Sequence, residues 1–155
     1  MNEPSTNFIY EQLIHSDDLE KSLNLIDQID APINHMSFSD FFNNYIGQHP
    51  ELKVSQIIKD SNISKSYAHE IINGDKPGSR DRIIALCYSA NMNMDEVKQA
   101  LLLSQNQPLY AKSKRDIVIM HGINHKETDE TYSSVIKLNI ILEERGLLPL
   151  QLSKS

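Results

Sequence analysis

The stretch Val54–Arg82, VSQIIKDSNISKSYAHEIINGDKPGSRDR, decides the fold. It predicts two short helices, over residues 54–61 and 64–73, joined by a link around Asn62. Asparagine is the non-glycine residue that best tolerates a left-handed turn conformation, and Ser64 is suited to cap the second helix. Two short helices that cross steeply need apolar side chains where they face each other, and the sequence offers Ile57, Ile63, Ala68 and Ile71. We therefore expect a rigid two-helix corner.

The outer face of the second helix is rich in hydrogen-bonding groups. Such a helix can enter the major groove of duplex DNA with its N-terminal residues nearest the base edges. Lys65 is suited to guanine O6 or N7, and Asn73 to adenine N6 and N7. The predicted base contacts are Lys65, Ser66, Tyr67, His69 and Asn73. Phosphate contacts position a protein without reading sequence, and the residues predicted to make them are Ser55, Lys76, Arg80 and Arg82.

Charge is spread unevenly along the chain. The 155 residues carry a net charge of −6, yet residues 1–52 carry −8, residues 53–82 carry +2 and the remainder is neutral. An acidic chain argues against indiscriminate binding to nucleic acid, although not against a local basic face. In most proteins a basic run is only a solvated surface, so charge alone does not predict DNA binding.

Helix signals recur along the rest of the chain, whereas alternating strand patterns with hairpin turns are absent. Gly122 is expected to end one helix, and Thr128, followed by two acids, to begin the last one. Favourable N-cap residues predict four further helix starts, at Ser37, Ser79, Asn93 and Ser113. The sequence therefore predicts an all-α fold.

A family resemblance strengthens this interpretation. The segments Ser64-Lys-Ser-Tyr67 and Asn73-Gly-Asp-Lys-Pro77 flank the second helix of the corner, and Ile83–Leu86 and Met92–Val97 follow in order. With them, residues 38–103 resemble the bacterial lambda-repressor-like (Xre-type) helix-turn-helix family. The resemblance implies a DNA-binding domain in which the second helix of the corner is the recognition helix. The family usually has other residues at three positions, a small residue at Ile58, glycine at Asn62 and often glutamine at Val54.

These patterns divide the chain into three parts. Residues 1–36 form an acidic N-terminal helical arm, residues 37–104 the helix-turn-helix domain, and residues 105–155 a C-terminal helical extension. The extension has too many apolar side chains for exposed helices, so it either packs on the domain or dimerises. A homodimer would suit half-sites one DNA turn apart. The arm either adds a core-packing helix or covers the basic face as an autoinhibitory segment.

The sequence gives little support for a disulfide framework, a metal site, a catalytic site or a membrane-spanning segment. Cys87, the single cysteine, excludes a disulfide framework and a multi-cysteine zinc site, and its apolar neighbours predict a small core residue. His121 and His125 have a spacing that can chelate a metal on a helix, but no third ligand is placed by the sequence. Catalytic motifs and phosphate-cradling glycine loops are absent, and no apolar segment is long enough to cross a bilayer. We predict a cytoplasmic protein that is not an enzyme and uses no metal or cofactor.

The function predicted from the sequence is that of a bacterial-type, sequence-specific transcriptional regulator. Its partners would be double-stranded DNA and a second copy of the chain, with no membrane contact. The alternative belongs to another class, a non-catalytic adaptor or antitoxin-like protein that uses the same fold to bind a protein partner. That alternative is favoured by the low positive charge, by the acidic arm, and by the residues at Val54 and Ile58.

Overall fold

The structure is a computed structural model that describes Leu19 and residues 36–153. The described part contains seven α-helices and one 3-10 turn, with no strand. The helices are α1 (Phe38–Gln48), α2 (Val54–Ser61), α3 (Lys65–Asn73), α4 (Arg80–Ser89), α5 (Met94–Leu103), α6 (Lys114–His125) and α7 (Val135–Glu144), and the 3-10 turn spans Glu130–Tyr132. The predicted all-α class is confirmed.

The two predicted helices of residues 54–73, hereafter the α2–α3 corner, are present with a left-handed link. Asn62 has φ 61° and ψ 21°, the conformation expected of it. Ser61 is fully buried and its Oγ donates to the Ile58 carbonyl at 2.7 Å, so the polar group inside the corner has a partner. The apolar side chains predicted to meet there are all buried: Ile57, Ile63, Ala68 and Ile71. Ile58 is buried with them.

Most helix starts follow the predicted caps. Asn93 and Glu96 form a complete capping box, in which each side chain accepts from the other residue's backbone N–H at 2.9 Å. The hydroxyls of three serines accept from the N–H three residues ahead: Ser37, Ser79 and Ser113. Each cap satisfies a backbone donor that the first helical turn leaves unpaired.

Two predictions about helix ends are wrong, and a third is met in position only. Gly122 lies inside α6, where a Cβ atom would come within 2.8 Å of the Tyr88 hydroxyl, so this glycine serves close packing instead of ending the helix. Thr128 does not begin the last helix, because Asp129 caps the 3-10 turn and Ser134 caps α7. Ser64 occupies the N-cap position of α3, but its hydroxyl makes no capping hydrogen bond.

The chain divides into two compact units, residues 1–36 and 37–155, and all seven helices belong to the second. Within that unit, α6 and α7 pack against the preceding helices. Their buried residues Ile119, Val135, Leu138 and Leu142 are fully inaccessible and join one core with the α2–α3 corner. Apart from Leu19, the predicted arm helix lies outside the described residues. Among the described helices, none has the length and apolar character that a bilayer crossing requires.

Candidate functional site

The outer face of α3 is open to solvent where base contacts are predicted. Lys65, Ser66 and Asn73 are exposed and His69 is half-buried, whereas the opposite face of α3 packs into the core. The helix is thus held on one side and presents hydrogen-bonding groups on the other. These four groups supply donors and acceptors of the kinds that read base edges.

The C-terminal end of α3 is tied to α1. Ser39 Oγ and Asn43 Nδ2 donate to the Ile72 carbonyl at 2.6 and 3.2 Å. Gly74 follows with φ 85°, and a Cβ there would lie 3.3 Å from Ser39 Cβ. A residue with a side chain at position 74 would be strained in this backbone conformation. The orientation of α3 is therefore fixed at its last turn by contacts 29 and 33 residues away in sequence.

The start of α2, beside Ser55, has no side-chain cap. Lys53 is the N-cap residue of α2 and makes no side-chain capping bond, and Ser55 is exposed in the first turn. An uncapped helix N-terminus carries partial positive charge and free N–H groups, which suit a phosphate oxygen. This geometry is compatible with the predicted role of Ser55.

Lys76 lies just past α3 and is partly neutralised. Its Nζ is 3.1 Å from the Glu70 carboxylate, and 47% of its side chain remains exposed. An exposed ion pair of this kind contributes little to stability. It holds the lysine at the end of α3 and offsets the negative charge that Glu70 would otherwise present to a nucleic-acid backbone.

Arg80 has a different role from the one predicted. Its Nη1 and Nη2 donate to the two carboxylate oxygens of Asp116 at 3.2 and 2.8 Å. Its Nε donates to the Gln107 carbonyl at 2.9 Å, and Nη2 also reaches the Pro108 carbonyl at 3.0 Å. Since all three nitrogens already donate within the chain, Arg80 joins α4 to α6 and the segment before it instead of facing outward for a phosphate.

Arg82 is also engaged inside the molecule. Its Nη2 donates to the Ser153 carbonyl at 2.9 Å, and its Nε to the Leu152 carbonyl at 3.4 Å. Its guanidinium carbon lies 4.5 Å from the centroid of the Tyr67 ring, within the range of a cation–π interaction. Tyr67 is half-buried beneath it. The structure therefore brings Arg82, a predicted phosphate contact, against Tyr67, a predicted base contact.

The C-terminal segment Leu148–Ser153 was missed as part of this region. Leu150 and Leu152 are buried, and Gln151 N donates to Asp81 Oδ2 at 2.8 Å. Their hydrogen-bond partners in α4 and α6 are 33 to 71 residues distant in sequence, so the sequence does not reveal them. Only the alternation of apolar residues at 148, 150 and 152 hints at a half-buried extended segment.

His121, His125 and Cys87 do not form a metal site or a reactive thiol site among the described residues. The rings of His121 and His125 lie 4.1 Å apart, but no group of three or more potential metal ligands occurs among the described residues. Cys87 is fully buried, and burial raises the pKa of its thiol. It is therefore a core residue with little thiolate character.

Lys126 lines a cavity of about 220 Å³ between α6 and the end of α4. Its Nζ donates to the Tyr88 carbonyl at 2.6 Å and to the Asn91 side chain. Burial lowers the pKa of Lys126, against a smaller opposing effect of Asp60 and Glu127. Because two acceptors already satisfy the ammonium, its evident role is to join α6 to α4.

Comparison with protein-family models, with curated proteins and with solved structures finds no match to this chain.

Proposed function

We propose that the chain is a sequence-specific DNA-binding transcriptional regulator, with the α2–α3 corner acting as a lambda-repressor-like helix-turn-helix. The observation that carries this proposal is the α2–α3 corner itself. Its link is left-handed at Asn62, its inner face is buried, and the outer face of α3 is open and polar. A helix held this way can lie in the major groove, where donors and acceptors distinguish all four base pairs.

Exposure in the structure supports six of the nine predicted DNA contacts. Lys65, Ser66, His69 and Asn73 remain as base contacts, since they lie on the open face of α3. Ser55 and Lys76 remain as phosphate contacts because they are exposed at the start of α2 and past the end of α3. Arg80, Arg82 and Tyr67 leave the set in view of their internal partners.

A second copy of the chain is the other partner we propose. The extension keeps apolar side chains at its surface even though α6 and α7 are packed into the core. Ile136 and Ile140, one turn apart on α7, are 55% and 47% exposed. Burying them in a symmetric interface would present two α3 helices to two half-sites.

One observation favours the alternative, a protein-interaction module without strong DNA binding. Arg80 and Arg82 are two of the six basic residues in residues 53–82, the one segment with a positive net charge, and both are used internally. The positive surface left for phosphates is correspondingly small. An interaction module would instead bind its partner through exposed apolar side chains such as Ile136 and Ile140.

Selection of genomic DNA fragments with the purified full chain separates the two functions. The DNA-binding proposal predicts enrichment of one sequence motif and an affinity that falls steeply with salt, because each neutralised phosphate releases counterions. Lys65→Ala and Asn73→Ala should then change the preferred motif. Lys76→Ala should weaken all sites alike and reduce the salt slope by about one. If the selected fragments share no sequence motif, or if the affinity for DNA does not change with salt concentration, the protein-interaction module is the better explanation.

A further inference from the structure

We propose that Arg82 is a positioning residue, which acts through Tyr67 and the C-terminal segment Leu148–Ser153 to fix α3 for base recognition. This inference rests on the proposed DNA-binding function and assigns Arg82 a part in it other than phosphate contact. Arg82 sets how well the site discriminates between base sequences, and it contributes little to the charge-dependent part of the affinity.

The first support is that all three guanidinium nitrogens of Arg82 already donate to oxygens of the same chain. Nη2 donates to the Ser153 carbonyl at 2.9 Å, Nε to the Leu152 carbonyl at 3.4 Å, and Nη1 to Ser79 Oγ at 3.2 Å. A bidentate phosphate contact needs two parallel N–H groups on one side of the guanidinium. Each nitrogen here is directed toward an oxygen of the same chain.

The second support is the contact between Arg82 and α3. The guanidinium carbon lies 4.5 Å from the centroid of the Tyr67 ring. Tyr67 is the third residue of α3 and lies between Ser66, which is exposed, and Ala68, which is fully buried. A contact at this point restrains the first turn of α3, the part nearest the base edges in a major-groove complex.

The third support is that the C-terminal segment forms a firm platform for Arg82. Asn139 Oδ1 accepts from Leu150 N at 2.7 Å. Arg115 donates to the carbonyls of Leu148 and Pro149 at 2.7 and 3.1 Å and is itself paired with Asp81. Leu150 and Leu152 are 4% and 6% exposed. The segment that leads to the carbonyls of Leu152 and Ser153 is therefore held by α6, α7 and the start of α4.

The two ends of α3 are then fixed by different partners. Ser39 and Asn43 of α1 hold the Ile72 carbonyl at the last turn, and Arg82 holds Tyr67 at the first turn. Losing the Arg82 contact removes the nearer of two cations over the Tyr67 ring and loosens the first turn, while the last turn stays in place. Such movement misaligns Lys65 and Ser66 with base edges but removes no charge that faces a phosphate.

The test compares Arg82→Ala and Arg82→Lys with wild type and with Lys76→Ala as the phosphate-contact control, since Lys76 Nζ is farther from the Tyr67 ring centroid, at 5.9 Å, than the Arg82 guanidinium carbon. Two binding quantities are measured: the ratio of affinities for the selected site and a single-mismatch site, and the slope of log K against log salt. The third measurement is the hydrogen-exchange rate of the Ala68 amide, which donates to the Ser64 carbonyl at 2.9 Å in the first turn of α3. Arg82→Ala should lower the affinity ratio by about fivefold, as loss of a cation–π contact implies. Arg82→Lys should lower it less, because lysine keeps a cation beside the Tyr67 ring but lacks the planar fork that donates to the Leu152 and Ser153 carbonyls. Both variants should also speed Ala68 exchange and leave the salt slope unchanged.

Different results would contradict the positioning role of Arg82 and the proposed DNA-binding function. If Arg82→Ala makes the slope shallower by about one, as Lys76→Ala should, and the affinity ratio is unchanged, Arg82 is a phosphate contact and the inference is wrong. Full rescue by Arg82→Lys would also overturn it, because lysine keeps the charge but lacks the planar fork. Absence of salt-dependent, sequence-selective binding by wild type would overturn the proposed function, and this inference with it.

Discussion

The Arg80 guanidinium binds both carboxylate oxygens of Asp116, at 3.2 and 2.8 Å, and the pair joins the start of α4 to the start of α6. Asp116 is 4% exposed, and one of its oxygens also accepts from Tyr110 N at 2.9 Å. A bidentate pair with further hydrogen bonds meets the conditions under which a buried charge is tolerated. This pair attaches the C-terminal extension to the helices that carry the candidate site.

Asp116→Asn should destabilise the chain strongly. The substitution removes the negative charge and leaves the largely buried Arg80 without a counter-charge, for which a loss of about 3 kcal/mol is typical. Equilibrium unfolding in urea measures the effect. Asp95→Asn, at an exposed position in the first turn of α5, is the control and should change the free energy of unfolding by less than about 1 kcal/mol. Equal stability of the two variants would contradict the role given to the Arg80–Asp116 pair.

Asn62→Ala should cost about 1 kcal/mol, whereas Asn62→Gly should be neutral or slightly stabilising. The reason is the left-handed backbone at φ 61°, which glycine adopts freely and a Cβ-bearing residue does not. Asn44→Ala, at an exposed position within α1, controls for loss of an asparagine in a right-handed helix. If alanine and glycine at position 62 gave the same urea midpoint, the left-handed link would not be a source of strain.

Tyr45→Phe should destabilise the chain at neutral pH and progressively less as the pH rises. Tyr45 OH donates to the Ala90 carbonyl at 2.8 Å, and losing that bond costs about 1 kcal/mol. Burial, with a smaller effect of Glu96, raises the pKa of Tyr45 from 10.0 to about 12. Between these values the unfolded chain releases a proton that the folded chain keeps, so this contribution is present below pH 10 and lost toward pH 12. Tyrosinate absorbance and urea unfolding at several alkaline pH values provide the check. If the stability difference between wild type and Tyr45→Phe increased with pH, it would contradict the raised pKa of Tyr45.

Cys87 should resist thiol reagents in the native protein and react fully after unfolding. It is completely buried in α4, and burial raises the pKa of its thiol, so the reactive thiolate is scarce. Labelling in native buffer should therefore proceed only as fast as the structure opens. Stoichiometric labelling within seconds, without denaturant, would place Cys87 outside the core.

Local rules account for much of what the sequence predicts correctly. The left-handed link at Asn62 and the capping box of Asn93 and Glu96 depend on residues at most three apart. The inner face of the α2–α3 corner follows from helical periodicity. The bounds predicted for α2 are those observed, and α3 begins one residue later than predicted because Ser64 is its N-cap.

The errors involve partners far away in sequence. Gly122 looks like a helix stop until Tyr88 is known to pack against it. Arg80 looks like a surface cation because its partner Asp116 is 36 residues away. Arg82 depends on carbonyls 70 and 71 residues distant. Since a basic residue after a helix has the same local pattern whether it faces DNA or a carbonyl group, only the tertiary structure separates these roles.

Site-directed photo-crosslinking from α3 to DNA tests the central claim most directly. A photo-crosslinker attached to Ser66→Cys, with the buried Cys87 left unlabelled, should crosslink to bases within the selected site. The same reagent on Lys98→Cys, an exposed position of α5, should crosslink to DNA only at background level. Base crosslinks from position 66 that map to one register of the selected motif are the predicted result. Crosslinking no stronger from position 66 than from position 98, while the protein remains bound to the DNA, would contradict the assignment of α3 as the recognition helix.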